Sequence, residues 1–252
     1  MANSEHLALL QAGAKTWNEW RQTHRDLTPD LRRIDFRKTN LQQIELQKAL
    51  LVNTDLQDAN LSGANLSHVN LSGANLNGAV LMGANLEKIV LINAKLQGAN
   101  LRRATLVGAD FSGADLSGAI LSGTNLRHAD LYRVKLGHSD LRSADLQAAN
   151  LGGADLYKAN LSAADLSDAD LTKSTLKRAM LRRTVLRRAD LKGANLSEAD
   201  LTGACLIRIN LKNAVLESTN LLGAELSEAS LAGIHLCNTT MPDGSIENRD
   251  CP

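Results

Sequence analysis

Between residues 31 and 236 every fifth residue is leucine, except at Phe36 and Phe111, and the register holds through 42 units without an insertion or deletion. A helix repeats near 3.6 residues and a strand at 2, so neither runs continuously under this pattern. A second rule explains how a strand could begin and stop inside each unit. Two residues before each of these positions, from Ile34 to Ile234, stands alanine in 27 of 41 cases and otherwise Ile, Val, Thr or Ser. Two inward residues separated by one outward residue is strand alternation. Each unit is therefore a minimal strand, and its remaining two residues form a corner. Most glycines of the array, such as Gly63, Gly73, Gly108 and Gly123, lie two after the leucine, with Gly137 and Gly152 as departures. That is where a type II turn needs a positive φ. The chain is expected to turn after every unit and to coil into a solenoid whose turns stack by backbone hydrogen bonds.

Composition agrees with a repeat array more than with a mixed core, since aromatics make up 2% of the 252 residues and prolines number three. No stretch approaches the ~18 consecutive apolar residues of a membrane span, and the start MANSEHLALL lacks a basic segment followed by an apolar run. The expected location is cytoplasmic. Cys205, Cys237 and Cys251 are too few and too scattered for a disulfide framework, which suits a reducing compartment, although a Cys237 to Cys251 bridge around the MPDG turn remains open.

The units ANLSG, ADLSG and ANLSE resemble those of the pentapeptide-repeat family: a small residue, Asn or Asp, Leu, then two variable residues. The resemblance covers about residues 29 to 238. It implies an all-β fold, a right-handed quadrilateral β-helix with four units per coil and about ten coils, some 50 Å long at ~4.8 Å per coil. With four Leu and four mostly Ala side chains turned into each coil, the interior is expected to be solid.

An open coil exposes apolar side chains and unpaired strand edges, so both ends need caps. Residues 1–28 are read as an N-terminal helical cap, 29–238 as the β-helix and 239–252 as a C-terminal cap or tail. Residues 4–24 read as one helix with Ser4 as N-cap and with Leu7, Leu10, Ala14 and Trp17 at helical spacing. Pro29 ends any continuation. Trp17 and Trp20 would serve either a partner patch or a lid on the first coil, and the apolar stripe favours the lid. The segment also resembles the amino-terminal lead-in of cyanobacterial members of the family.

No sign of catalysis or of a cofactor is present. His68, His128, His138 and His235 do not stack in pairs at twenty-residue spacing, the cysteines have no metal-ligand spacing, and no GxxxxGK[ST], GxSxG or HExxH occurs. The expectation is a protein that is not an enzyme and has no cofactor and no metal.

Charge is the informative surface feature. Lys173, Lys177, Arg178, Arg182, Arg183, Arg187, Arg188 and Lys192 face one acid, Asp190, in the same stretch, whereas the whole chain carries a net charge of only +1. On twenty residues per coil these cations form a belt around the rod at one level. Asp110, Asp130, Asp170 and Asp190, interrupted by Asn150, would stack along one face; Asn or Asp before the leucine also serves to hydrogen-bond the turn. Outward residues that break the Asn/Asp rule include Leu50, Val80, Val90, Ile120, Met180, Val185 and Val215.

The leading reading is a rigid scaffold or protein-interaction module that contacts a protein partner, with the belt as the place to meet an anionic one and a homodimer through a rod end also open. The alternative implied by the resemblance is a DNA mimic that protects or regulates DNA gyrase. A mimic should be acidic along its length, as duplex DNA carries one charge per ~1.7 Å, and this chain is near neutral. Weak electrostatic binding of nucleic acid is the third option, but Tyr132 and Tyr157 fall on different faces and offer no stacking platform.

Overall fold

The computed structural model describes residues 4–32 and 34–251. Parallel bridges join every outward residue from Asp30 to Asn220 to the residue twenty positions on, beginning with Asp30 and Leu50 and ending with Asn220 and Thr240. Twenty residues, or four units, thus make one coil of a quadrilateral β-helix. Two hydrogen bonds recur at each bridge: Leu61 N–H donates forward to Val80 O at 2.7 Å, and Asn60 N–H donates back to Thr39 O at 3.0 Å. Because the strand is one bridge long, cohesion comes from stacking between coils and not from length within one.

The leucine and small-residue positions fill the interior. Leu61, Ala64, Leu66 and Val69 are fully buried, as are Leu116, Ala119 and Phe111 in the middle of the rod. Burying one leucine stabilises by ~1.5 to 3 kcal/mol. Where Thr or Ser takes the alanine position, its hydroxyl is satisfied inside the rod: Thr124 Oγ1 donates to Leu121 O at 2.7 Å and Ser139 Oγ to Leu136 O at 2.6 Å. Buried hydroxyls with a backbone acceptor carry little penalty, which is why the position tolerates them.

The corner is closed by a bond from Ala64 N–H to Leu61 O at 3.0 Å, with Gly63 at φ 64°. Glycine is not the rule at this position. Among the described residues, 27 that are not glycine occupy the same corner site at φ 52° to 61°, including Ala148, Ala163, Arg183 and Arg188. A left-handed conformation costs an L-residue roughly 1–2 kcal/mol, so the ladder on both sides of each corner imposes the conformation on residues that do not favour it. The outward Asn or Asp helps, since its Oδ1 accepts from the backbone two residues on, as from Ser62 to Asn60 at 3.1 Å and from Ser117 to Asp115 at 3.0 Å.

The N-terminal segment forms two helices, α1 (Ser4–Gln11) and α2 (Ala14–Thr23), not one. Gly13, at φ 99°, makes the break. The side chain of Ser4, read as an N-cap, lies outside the described residues. α2 lies over the open edge of the first coil. Trp17 is fully buried and its Nε1 donates to Glu45 O at 2.7 Å, while Asn18 Oδ1 accepts from Glu45 N–H at 2.9 Å. Those are the two bonds a preceding coil would have supplied. Asn18 Nδ2 also donates to Gln43 O at 2.9 Å, and the buried Arg21 donates to Gln47 O at 3.1 Å and to the carbonyls of His24 and Leu27. Side chains thus stand in for a missing strand and satisfy an edge that would otherwise be orphaned.

At the far end the chain leaves the repeat as a small hairpin, β1 (Thr239–Thr240) against β2 (Ile246–Glu247). Residues beyond it fold back on the last unit: Leu236 N–H donates to Asp250 Oδ2 at 2.8 Å and Asp250 N–H to Leu236 O at 3.0 Å. Cys237 and Cys251 are joined by a disulfide with Cα atoms 4.8 Å apart, which resolves the pairing left open in the sequence. Cys205 is unpaired and half-buried. Leu222, Leu231 and Ile246 stay exposed at this end, as Leu27 does at the other.

Two substitutions isolate the corner. A Cβ added at Gly83 meets nothing within 4 Å, so Gly83→Ala is expected to lower stability by about 1 kcal/mol through its φ alone. Ala163→Gly, at φ 58°, is expected to raise the melting temperature, although glycine normally destabilises by flexibility. For the lid, Asn18→Leu is expected to raise hydrogen exchange at the Glu45 amide while leaving the amide of Asp165 protected, as read by exchange with mass or NMR detection.

Candidate interaction surface

The interior is filled along the body of the rod, save for an apolar opening of about 210 Å³ among Leu211, Leu221, Leu231 and Ile234 at its C-terminal end, so the rod presents outward ladders and corners along its length. Each of the four sides carries a ladder of outward residues, and each of the four edges carries a column of corner pairs twenty residues apart. The belt residues all lie at corners. Lys173 and Lys192 share one edge, Lys177 and Arg178 occupy the next, Arg182 and Arg183 the third, and Arg187 and Arg188 the fourth. All are exposed except Lys177, which is half-buried.

Half of the belt's cations are paired with carboxylates of the coils above and below it. Arg188 Nε lies 2.6 Å from Asp168 Oδ1 in a two-pronged pair, Arg178 Nε 2.6 Å from Glu198 Oε2, and Lys177 Nζ 3.3 Å from Glu198 Oε1. Arg182 pairs with Asp200. Arg178 also donates to the Tyr157 hydroxyl at 3.3 Å. Four cations of the belt, Lys173, Arg183, Arg187 and Lys192, have no carboxylate within reach of their side chains among the described residues. Part of the net positive charge read along residues 173–192 is therefore cancelled, because Asp168, Glu198 and Asp200 stand twenty or so residues away in sequence and one coil away in space.

The pairs shift the carboxyls as expected of charge-assisted hydrogen bonds. Arg188 beside Asp168 holds that carboxyl below its ordinary range. Arg178, with help from Lys177, does the same for Glu198. At Asp200 burial pushes the carboxyl up, but hydrogen bonds from Thr202 and Arg182 outweigh it and the net shift is downward.

The remaining sequence candidates stay dispersed. Asp110, Asp130, Asn150, Asp170 and Asp190 do stack on one ladder, and Val80, Ile120 and Met180 share another with polar residues between them. In the first, Asn150 Nδ2 donates to Asp130 Oδ1 at 3.0 Å, which offsets repulsion between stacked carboxylates. His138 lies edge-on to Tyr157 with ring centroids 5.5 Å apart, and no group of three His, Cys, Asp or Glu side chains among the described residues is placed to hold a metal. No helix among the described residues is long and apolar enough to cross a membrane.

The cross-coil pairs have a pH signature. A carboxyl whose pKa is lower when folded contributes stability that is full above its unfolded value, near 3.9 for Asp and 4.3 for Glu, and fades as pH falls through the folded value. Asp168→Asn is therefore expected to lower the melting temperature slightly at pH 7, and the difference between the two proteins is expected to shrink as pH falls below the ordinary aspartate range and the native carboxyl takes up its proton. Thermal melts of both proteins across that range check it.

The family described as Pentapeptide repeats matches the chain repeatedly, at residues 30–67, 59–98, 84–123, 124–162, 139–178, 164–203 and 204–241. No curated protein sequence matches it. Among solved structures, the chain is similar to HetL, a pentapeptide repeat protein involved in heterocyst differentiation regulation from the cyanobacterium Nostoc sp. strain PCC 7120, at 34% identity over 91% of this chain and 98% of HetL, with a TM-score of 0.44. It is similar to a pentapeptide repeat protein from the thylakoid lumen of Arabidopsis thaliana at 32% identity over 37% of this chain and 68% of that one, with a TM-score of 0.32. It is also similar to QnrB1, a plasmid-mediated fluoroquinolone resistance protein, at 18% identity over 81% of this chain and 89% of that one, with a TM-score of 0.42. A family match that fills residues 30–241 and the twenty-residue bridge ladder lead to one conclusion: the chain belongs to the pentapeptide-repeat family and folds as its right-handed quadrilateral β-helix.

Proposed function

We propose that the protein is a non-catalytic, rigid scaffold that contacts a protein partner through its outward corners. One observation carries this reading: along the body of the rod the inward side chains are fully buried, so the specific information the rod presents along its length is the fixed placement of its outward and corner residues. Within the belt the contact falls to the uncompensated cations Lys173, Arg183, Arg187 and Lys192, since the others already hold carboxylates of neighbouring coils. Exposed pairs of that kind contribute little when swapped for a partner's charge, whereas free cations can recruit one.

The regulatory part named for HetL gives this reading a precedent within the family at appreciable identity. The gyrase-protecting alternative requires a continuous acidic surface, and the charge distribution speaks against it. Cytoplasmic location belongs to the proposal too; the Cys237–Cys251 disulfide is the feature that weighs on the other side, because such bonds persist in oxidising compartments. The exposed Leu222, Leu231 and Ile246 favour self-association through the C-terminal rod end as a second contact.

The test is a cross-linked pull-down from lysate of the source cells, comparing the native protein with a variant carrying Lys173→Glu, Arg187→Glu and Lys192→Glu. A protein retained by the native rod and lost by the variant supports the belt; an identical set of captured proteins returns these cations to solvated surface.

A further inference from the structure

The belt runs around the rod, but a second basic feature runs along it. On the edge that carries Arg182 and Arg183, the column of corner residues below them holds Arg102, Arg103 and Arg142, and no acidic residue stands in that column from Gln42 to Gly223. Arg102, Arg142 and Arg182 are spaced at forty residues, which is two coils. At ~4.8 Å per coil the rungs recur every ~9.6 Å. The levels between them carry only small residues, Ser122 with Gly123 and Ser162 with Ala163, and a depression of about 490 Å³ opens there between Arg102, Arg103 and Arg142.

The guanidiniums are held, Arg182 through its Nε by the Asp200 carboxylate, yet keep Nη donors free. Arg102 Nε donates to Ser122 Oγ at 3.3 Å, and Arg142 forms a two-pronged pair with Asp140 at 2.8 Å for each bond that leaves Nη1 uncommitted. Arg103 and Arg183 have no side-chain partner among the described residues, and the Cγ of Arg103 lies 3.7 Å from where a Cβ on Gly123 would stand, so its stem rests over the next level. The two sides that meet at this edge carry carboxylates, Asp140 and Asp200 on one and Asp145 and Asp165 on the other. A wide polyanion such as a duplex would be pressed against those carboxylates, whereas a single narrow chain would touch the edge alone.

A polyproline II segment repeats every three residues with a 3.1 Å rise, which places every third side chain on one face at ~9.3 Å. That period matches the arginine rungs. A β-strand presents one face every ~6.7 Å and does not match. An α-helix returns a face every seven residues at ~10.5 Å, drifts by about 0.9 Å per rung and is ~10 Å thick, which brings it onto the flanking carboxylates. No aromatic platform lies on this edge, which a single-stranded nucleic acid would use; Tyr132 and Tyr157 sit on others.

We propose that the Arg102, Arg103, Arg142, Arg182 and Arg183 edge binds an extended, proline-rich segment of a protein partner that bears an acidic residue at every third position. This rests on the scaffold reading above, in that it assumes a protein partner; it shares Arg182 and Arg183 with the belt but does not rest on the belt cations Lys173, Arg187 and Lys192. The experiment measures fluorescence anisotropy of two labelled peptides with equal numbers of glutamates, one of Glu-Pro-Pro repeats and one of Glu-Ser repeats, and of a single-stranded oligonucleotide. Each is titrated with the full chain, with an edge variant (Arg102→Gln, Arg103→Gln, Arg142→Gln) and with the variant Lys173→Glu, Arg187→Glu, Lys192→Glu, all shown to keep the native cooperative melt. The expected result is preference for the Glu-Pro-Pro peptide, weakened about tenfold in the edge variant, unchanged in the other and falling with salt. Equal binding of the two peptides, equal loss in both variants or no binding of either peptide overturns the edge proposal and leaves the scaffold reading to its own pull-down. Tighter, edge-dependent binding of the oligonucleotide overturns it in favour of nucleic acid.

Discussion

The structure depends on one bond repeated at every side: a leucine N–H reaching the carbonyl nineteen residues on, as from Leu116 to Lys135 at 2.7 Å. It ties each one-bridge strand to the coil above and fixes the length of a turn at twenty residues. An insertion anywhere would move every later side chain to the wrong place, one position sending the leucines outward. The uninterrupted register of 42 units follows from that constraint. So does the conformation of the corners. Arg183 and Ala163 accept a left-handed φ because the ladders before and after them leave no other way to close a five-residue side.

The same bond creates the problem at the ends, where half of each pair is missing. The two ends solve it differently. At the N-terminus, Trp17, Asn18 and Arg21 on α2 reach the backbone groups of Gln43, Glu45 and Gln47, so a helix replaces a strand through side chains placed three and four residues apart on one face. At the C-terminus the chain itself returns, pairs Asp250 with Leu236 and is held by the disulfide beside it. In a chain-entropy view a bond closing about fourteen residues is worth ~3 kcal/mol to such a fold-back.

The fold was legible because its rules are local and repeated: leucine and alanine two apart define the inward face, and the resemblance supplied four units per coil. What escaped was whatever depends on contacts across coils. Glycine marked only some corners, because the ladder overrides intrinsic preference at Lys173 or Arg188. The lead-in read as one helix, since its apolar stripe continues across Gly13 while the backbone does not. The belt looked strongly basic in a linear window because its counter-charges, Asp168, Glu198 and Asp200, stand outside that window or across a coil. The arginine edge was missed for the same reason in reverse: Arg102, Arg142 and Arg182 are far apart in sequence and become a line only in rows of twenty.

A stacked rod of this kind makes charge position meaningful in two directions. Around a level, cations can be cancelled by carboxylates one coil away, as Arg188 is by Asp168 and Arg208 by Glu228. Along an edge, charges of one sign accumulate at multiples of the coil spacing, with little freedom to relax because each corner backbone is fixed by two ladders. Repulsion between such residues is a standing cost, only partly offset by the pairing of Arg142 with Asp140 and of Arg182 with Asp200. Nothing in the fold requires arginine on this edge, since serine, glycine and alanine occupy the intervening levels without disturbing the ladder. The physical consequence is a surface whose spacing is set by the core and whose charge is independent of it, which is the property a ruler for an extended partner needs.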